Sequence, residues 1–142
     1  MPGAIELVAS LNRRGVKVGV ATNQSGVARG YFDEEAVQRF HDLMQDQLEP
    51  HKARVDRFEY CPHHPSEGAT PYRTQCACRK PEPGMLLSLA GSLGVDPSNA
   101  LVIGDRPSDL EAAKRAGMAA MHFTGGNLMQ AVQQSGWLGR IG

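Results

Sequence analysis

The sequence predicts an α/β fold with a mostly parallel, Rossmann-like sheet, and three observations carry that expectation. Helical and strand-like apolar patterns alternate along the chain. Two compact apolar runs, VKVGVAT and ALVIGD, each pass directly into a polar string, as strands that feed a ligand-binding loop do. The 142 residues hold no repeat, long linker or low-complexity tract, so one domain with one core is expected.

The elements follow in order. Ala4, Leu7, Val8 and Leu11 recur at helical spacing, with Pro2 read just inside the start and Gly15 just past the end. Val16 to Thr22 is β-branched and reads as a buried strand. Asp33, Glu34 and Glu35 place negative charge at a helix start, and Val37, Phe40, Met44 and Leu48 continue one apolar face. RFEYC is a second strand. Met85, Leu86, Leu89, Ala90 and Leu93 form another helical face, closed by Gly94. ALVIGD is a third strand, Ser108 and Glu111 are spaced as the capping box of a helix running to about Ala116, and AAMHFT is a last short strand. The tail offers a short helix around Leu128 to Val132, with FTGGN as a turn before it and Trp137 as a packing anchor. His41 and His51 read as exposed, and His122 as a strand residue.

Fifteen basic and fifteen acidic residues cancel, so nothing suggests a chain-wide grip on nucleic acid or an anionic membrane. The sequence has no apolar run of the roughly 20 residues that span a bilayer and no signal-peptide pattern at its start, which makes the cytoplasm the expected location. The three cysteines all fall between residues 61 and 78; in a reducing compartment such clustering points to metal more often than to pairing.

Two strand ends carry chemistry. VGVATNQSG presents Thr22 and Asn23, and ALVIGDRPSD presents Asp105 and Arg106. Either string alone is read as turn formers. Together, a hydroxyl, an amide and backbone N–H groups can hold phosphate oxygens, while a carboxylate at a neighbouring strand end can hold Mg2+. CRKPEPG adds Arg79 and Lys80. A solvated basic doublet is the plain alternative, but beside those strand ends a fixed cation can offset phosphoryl charge.

TNQSGVARG, CPHHP, CACRKPEPGM and VIGDRPSD, in this order, resemble the successive signatures of the haloacid dehalogenase (HAD) superfamily of phosphatases. Within it the likeness is to the D-glycero-D-manno-heptose-1,7-bisphosphate 7-phosphatases, and it covers nearly the whole chain, residues 1–142 as one HAD-like domain. The resemblance implies roles residue by residue. Thr22 and Asn23 would bind the transferred phosphoryl group. Lys80 would neutralise it and orient the nucleophile, and Asp105 would hold a catalytic Mg2+. Arg79 and Arg106 fall where basic substrate contacts are expected, although lysine is the commoner residue at the second position. The implied substrate is a small phosphorylated sugar, with histidinol phosphate as the rival from a related branch that shares the cysteine loop.

Cys61, His63, Cys76 and Cys78 form a Cys3His set of the kind zinc favours in closed structural sites, and their spacing matches the zinc loop of this family, here residues 61–78. His64 is the competing imidazole and is read as a loop histidine. A disulfide is the other reading, but C-x-C cysteines are poorly placed to bridge each other, and pairing Cys61 with either would strand the third. Four protein ligands leave no open position for water, so the zinc is expected to staple the loop and aim Arg79 and Lys80.

Phosphatases of this superfamily use a D-x-D pair, one aspartate as nucleophile and the other as acid, at the end of a first strand. No D-x-D occurs in these residues, and the chain opens on what resembles the following helix. The first strand, which lies mid-sheet in the family, is therefore expected to be missing, leaving two strand edges without their partner. A longer natural protein is the favoured account; a naturally shortened, non-catalytic module that grips phosphate is the alternative.

Overall fold

The computed structural model describes residues 2–23, 34–61, 80 and 82–140. In chain order these form α1 (Ala4–Arg13), β1 (Gly19–Asn23), α2 (Glu34–Leu48), β2 (Arg57–Cys61), α3 (Gly84–Leu93), β3 (Leu101–Gly104), α4 (Pro107–Ala116), β4 (Ala119–His122) and α5 (Leu128–Ser135), with short 3-10 turns between some of them. The alternation read from the sequence is present throughout.

Both strand pairings are parallel. β1 pairs with β2, Gly19 opposite Arg57 through Asn23 opposite Cys61, and β3 pairs with β4, Leu101 opposite Ala119 through Gly104 opposite His122. Among the described residues these are two separate two-stranded sheets, so β1 and β3 share no ladder. Helices hold the halves together instead. On one side, Ala4, Leu7 and Leu11 of α1 pack with Ile103, Met121, Val132 and Leu138, while Ile5, Val8 and Ala9 of the same helix pack with Val20, Leu48 and Phe58. On the other side, Leu86 of α3 and Ala112, Ala113 and Ala116 of α4 cover Ala21 of β1 and Val102 of β3. Val20 and Ala21, like Val102 and Ile103, face opposite ways, as successive strand residues must. The result is a three-layer α/β arrangement whose sheet is interrupted between its halves.

Local chemistry shifts several boundaries. α1 starts after an N-cap at Gly3, which puts Pro2 outside the helix rather than in its first turn. It ends in a tight reversal: Gly15 N–H bonds Asn12 O at 3.1 Å and Val16 N–H bonds Leu11 O at 3.0 Å, with Gly15 at φ 75°. That reversal consumes Val16, so the strand begins at Gly19. Asp56 then prepares the pairing, its Oδ2 accepting from Val18 N–H at 2.7 Å and its own N–H donating to Val18 O at 2.7 Å.

The apolar face of α2 is corrected. Val37, His41 and Leu48 are buried, whereas Phe40 is 57% exposed. At 100° per residue Phe40 lies roughly 70° round from the middle of the stripe made by residues 37, 41, 44 and 48. His41, expected to be exposed, takes the inward place because its ring stacks on Phe58 at 4.2 Å and 13° and meets the edge of Tyr60 at 6.1 Å. His51 is exposed as expected. At the carboxyl end Leu138 is the buried anchor, while Trp137 is half-buried. Leu138 is the smaller of the two apolar residues and carries no ring N–H needing a partner.

Candidate active site

Asn23 and Cys61 end one parallel pair together, and Gly104 and His122 end the other together, each at the carboxyl edge of its pair. Loops that leave these edges carry the predicted site residues. Thr22 and Asn23 are the last two residues of β1, and Asp105 and Arg106 follow β3 directly. Arg79, His63, Cys76 and Cys78 lie outside the described residues, and of the predicted zinc set only the strand position of Cys61 is defined. Among the described residues no three His, Cys, Asp or Glu side chains gather as a metal site.

Lys80 joins the two halves. Its Nζ donates to Ala21 O of β1 at 3.2 Å and to Asp109 Oδ1 of α4 at 2.5 Å, with side-chain exposures of 15% for the lysine and 10% for the aspartate. An interruption in the hydrogen-bonded ladder is thus crossed by an ammonium group with three donors.

Asp109 is not among the site residues expected from the sequence. It sits at N3 of α4, and its Oδ2 accepts from Arg106 N–H at 3.2 Å, while Asp109 N–H returns a bond to Arg106 O at 3.0 Å. The helix therefore starts at Pro107 with Arg106 as N-cap, and the expected capping role of Ser108 and Glu111 is corrected. Proline at the first helical position and an acidic residue in the first turn define that start. Burial alone would raise the Asp109 carboxyl. The hydrogen bond and charge of Lys80, with the N–H groups of Arg106 and Asp105, outweigh burial and hold it below the ordinary carboxylate value. Its place as the last letter of VIGDRPSD, one helical turn beyond Asp105, was the available signal.

Gly104 makes this arrangement possible. A Cβ there would lie 2.7 Å from Asp109 Cγ, so only glycine lets the carboxylate fold back over the strand end. Beside it, His122 Nε2 is 3.2 Å from Asp105 O. A carbonyl only accepts, so the Nε2–H tautomer makes this bond. Asp105 and Arg106 themselves are exposed at the rim.

A cleft of about 350 Å³ lined by Ile5, Glu6, Arg13 and His51 among others lies elsewhere and contains none of the predicted site residues.

Comparison with known proteins gives the family. A HAD-hydrolase-like family model matches residues 77–135. The chain is 45% identical over 134 residues to D-glycero-beta-D-manno-heptose-1,7-bisphosphate 7-phosphatase of Rhodopseudomonas palustris, covering 94% of this chain and 74% of that protein. It is 40% identical to the Vibrio cholerae enzyme of the same name, where the match spans 82% of this chain and 62% of that enzyme's length. In three dimensions it resembles the D,D-heptose 1,7-bisphosphate phosphatase of Bordetella bronchiseptica, determined with magnesium and phosphate, at a TM-score of 0.78 and 38% identity over 94% of this chain and 71% of that one. A HAD-like protein of Mesorhizobium loti gives a TM-score of 0.86 at 31% identity, covering 99% and 73%. The chain belongs to the D-glycero-D-manno-heptose-1,7-bisphosphate 7-phosphatase family of the HAD-like hydrolases.

Proposed function

We propose that the protein of which these residues are part hydrolyses a phosphomonoester on a phosphorylated sugar, removing the 7-phosphate of heptose 1,7-bisphosphate with Mg2+ as cofactor. The observation that carries this reading is Lys80, held between β1 and Asp109 where two parallel strands end. A lysine fixed there offers a phosphoryl group positive charge without having to be ordered first. The names of relatives at 38–45% identity supply the substrate class.

In this reading Thr22 and Asn23 bind the transferred phosphoryl group, Lys80 offsets its charge, and Arg79 and Arg106 contact the rest of the substrate. Asp105 suits Mg2+ as a hard oxygen donor exposed at the strand end. Asp109 does not, because both of its oxygens already accept hydrogen bonds. When bound, Mg2+ would polarise the phosphoryl oxygens. With Asp105 as the one expected carboxylate in these residues, it is held weakly by them alone. Cys61, His63, Cys76 and Cys78 bind one structural zinc that staples loop 61–78, and residues 1–142 act as one HAD-like domain. The proposed location is cytoplasmic, with neither nucleic acid nor a membrane as partner; among the described residues no helix is long and apolar enough to cross a membrane.

Phosphate release by the full-length protein tests the reading. Mg2+-dependent turnover of heptose 1,7-bisphosphate is expected, falling on the order of 100-fold or more in Lys80→Met. Faster turnover of histidinol phosphate would refute the substrate choice. The 142 residues alone hold no D-x-D pair and are expected to bind phosphate with little or no turnover. Robust release by them would overturn the role given to that pair. Cys76→Ser is expected to lose zinc and weaken phosphate binding; unchanged affinity after zinc loss would leave the staple with no part in the site.

A further inference from the structure

The segment that carries Lys80 is tied to α4 a second time. Two residues after Lys80, Glu82 Oε1 accepts from Arg115 Nη1 at 2.9 Å, and the same guanidinium donates through Nε to Glu111 Oε1 at 3.1 Å. Asp109, Glu111 and Arg115 all belong to α4. One helix thus holds Lys80 at its first turn and Glu82 at its last. Between those points α3 packs on α4 through Leu86, Ala112, Ala113 and Ala116. That contact is apolar, and α3 also buries Met85, Leu89 and Ala90, so the tie from Glu82 to Arg115 acts on the segment that enters the helix rather than on the helix itself.

We infer that Arg115 is a positioning residue for Lys80. Through Glu82 it fixes the register of the segment entering α3 against α4, and that register sets Lys80 Nζ on Asp109 and Ala21 O. Glu111, one turn earlier on the same helix, holds the guanidinium toward Glu82. Arg115 touches neither Lys80 nor the strand ends by any of these bonds, so its effect is transmitted through backbone. An Arg is suited to this because its planar fork serves two carboxylates at once. The functional weight of the inference rests on the proposed role of Lys80 with phosphate, but its geometric content does not.

Amine labelling tests it without turnover. Acetic anhydride is applied to the native full-length protein, and peptide mass spectrometry reads the Lys80 labelling rate against exposed Lys17 and Lys52. Arg115→Met and Glu82→Gln are each expected to raise Lys80 labelling roughly threefold, the scale set by one exposed ion pair. The double variant should show no more than the larger single effect, because both remove one link. Arg115→Lys, which keeps the charge but not the fork, should restore only part of the protection. Unchanged Lys80 labelling in both single variants, or additive increases in the double, would overturn the inference. Should Arg115→Met fail to fold, Glu82→Gln carries the same comparison at an exposed position. In the full-length protein kcat should fall with Lys80 protection, whereas protection lost in a protein without phosphatase activity would refute the proposed function and leave this inference standing.

Discussion

Lys80 Nζ stands 2.5 Å from Asp109 Oδ1, making one ion pair of a cation from the segment before α3 and a carboxylate from the first turn of α4. Neither side chain is more than 15% exposed, and the charge of Lys80 is among the causes that hold the Asp109 carboxyl low. Asp109→Asn is expected to destabilise the protein by about 2–3 kcal/mol at pH 7, because it removes the carboxylate charge that faces a largely buried ammonium group. The sign of the pH effect follows from the lowered Asp109 carboxyl. Its contribution is complete above the unfolded value of about 4 and is lost as pH falls through the lower folded value. Urea denaturation at pH 7, 5 and 3 should show the gap between wild type and Asp109→Asn narrowing at the acid end. An equal gap at pH 3 and 7 would refute the ion-pair account.

Gly104→Ala tests the same arrangement from the strand side. The new methyl would meet Asp109 with Oδ2 2.6 Å away and Cγ 2.7 Å away, so the carboxylate must swing off the strand end. That movement breaks its bonds to Lys80 and to Arg106 N–H together. The expected cost is about 2–4 kcal/mol, from overpacking plus a lost polar contact. Because both substitutions act on one interaction, Gly104→Ala in an Asp109→Asn background should cost measurably less than in wild type. Thermal denaturation of the four-protein cycle checks this; strict additivity would mean that the glycine serves something other than the carboxylate.

The parts of this architecture that were legible in the sequence are those where local chemistry decides. RFEYC and Met85 to Gly94 fall where pattern and cap place them, because one face is buried and one glycine closes the helix. Lys80 and Asp105 stood out because cation and carboxylate followed or preceded strong punctuation. Asp109 did not, since its importance comes from Lys80, 29 positions away, and from the missing side chain of Gly104. His41 was misread for the same reason. Helical spacing puts residue 41 on the stripe of 37, 44 and 48, but an imidazole there reads as exposed until Phe58 and Tyr60, from β2, supply its ring partners.

His41 should give the fold a measurable pH response. Burial lowers its pKa, and the nearby negative charge of Asp42 opposes that only in part. A histidine whose folded value is depressed contributes stability that is complete above its unfolded value of about 6.5 and is lost as pH falls toward the folded value. His41→Phe keeps a ring for stacking on Phe58 and removes the titration. Melting temperature followed from pH 7.5 to 5 should fall less steeply in His41→Phe than in wild type. Parallel curves would show that His41 charges without cost, and would place the acid sensitivity in other groups.

The turn before α1 is docked on the start of α5, and two glycines separate that docking from plain backbone strain. Gly3 has φ 82° and Gly15 has φ 75°, so alanine at either must adopt a left-handed conformation costing about 1 kcal/mol. Around Gly15 nothing lies within 4 Å of an added Cβ. At Gly3 the methyl would lie 2.7 Å from Met129 N and press on Asn127, whose side chain caps α5 by accepting from Gln130 N–H at 3.0 Å. Leu128 N–H also donates to Pro2 O at 2.8 Å, so the clash would pull on a backbone bond as well as a cap. Gly15→Ala is therefore expected to cost only the strain, and Gly3→Ala about 1–2 kcal/mol more, the loss of a helix cap. Amide exchange locates the difference: Gly3→Ala should speed exchange in the first turn of α5, while Gly15→Ala leaves that turn unchanged. Equal costs for the two variants, with α5 protected in both, would show that α1 is held by its apolar face alone.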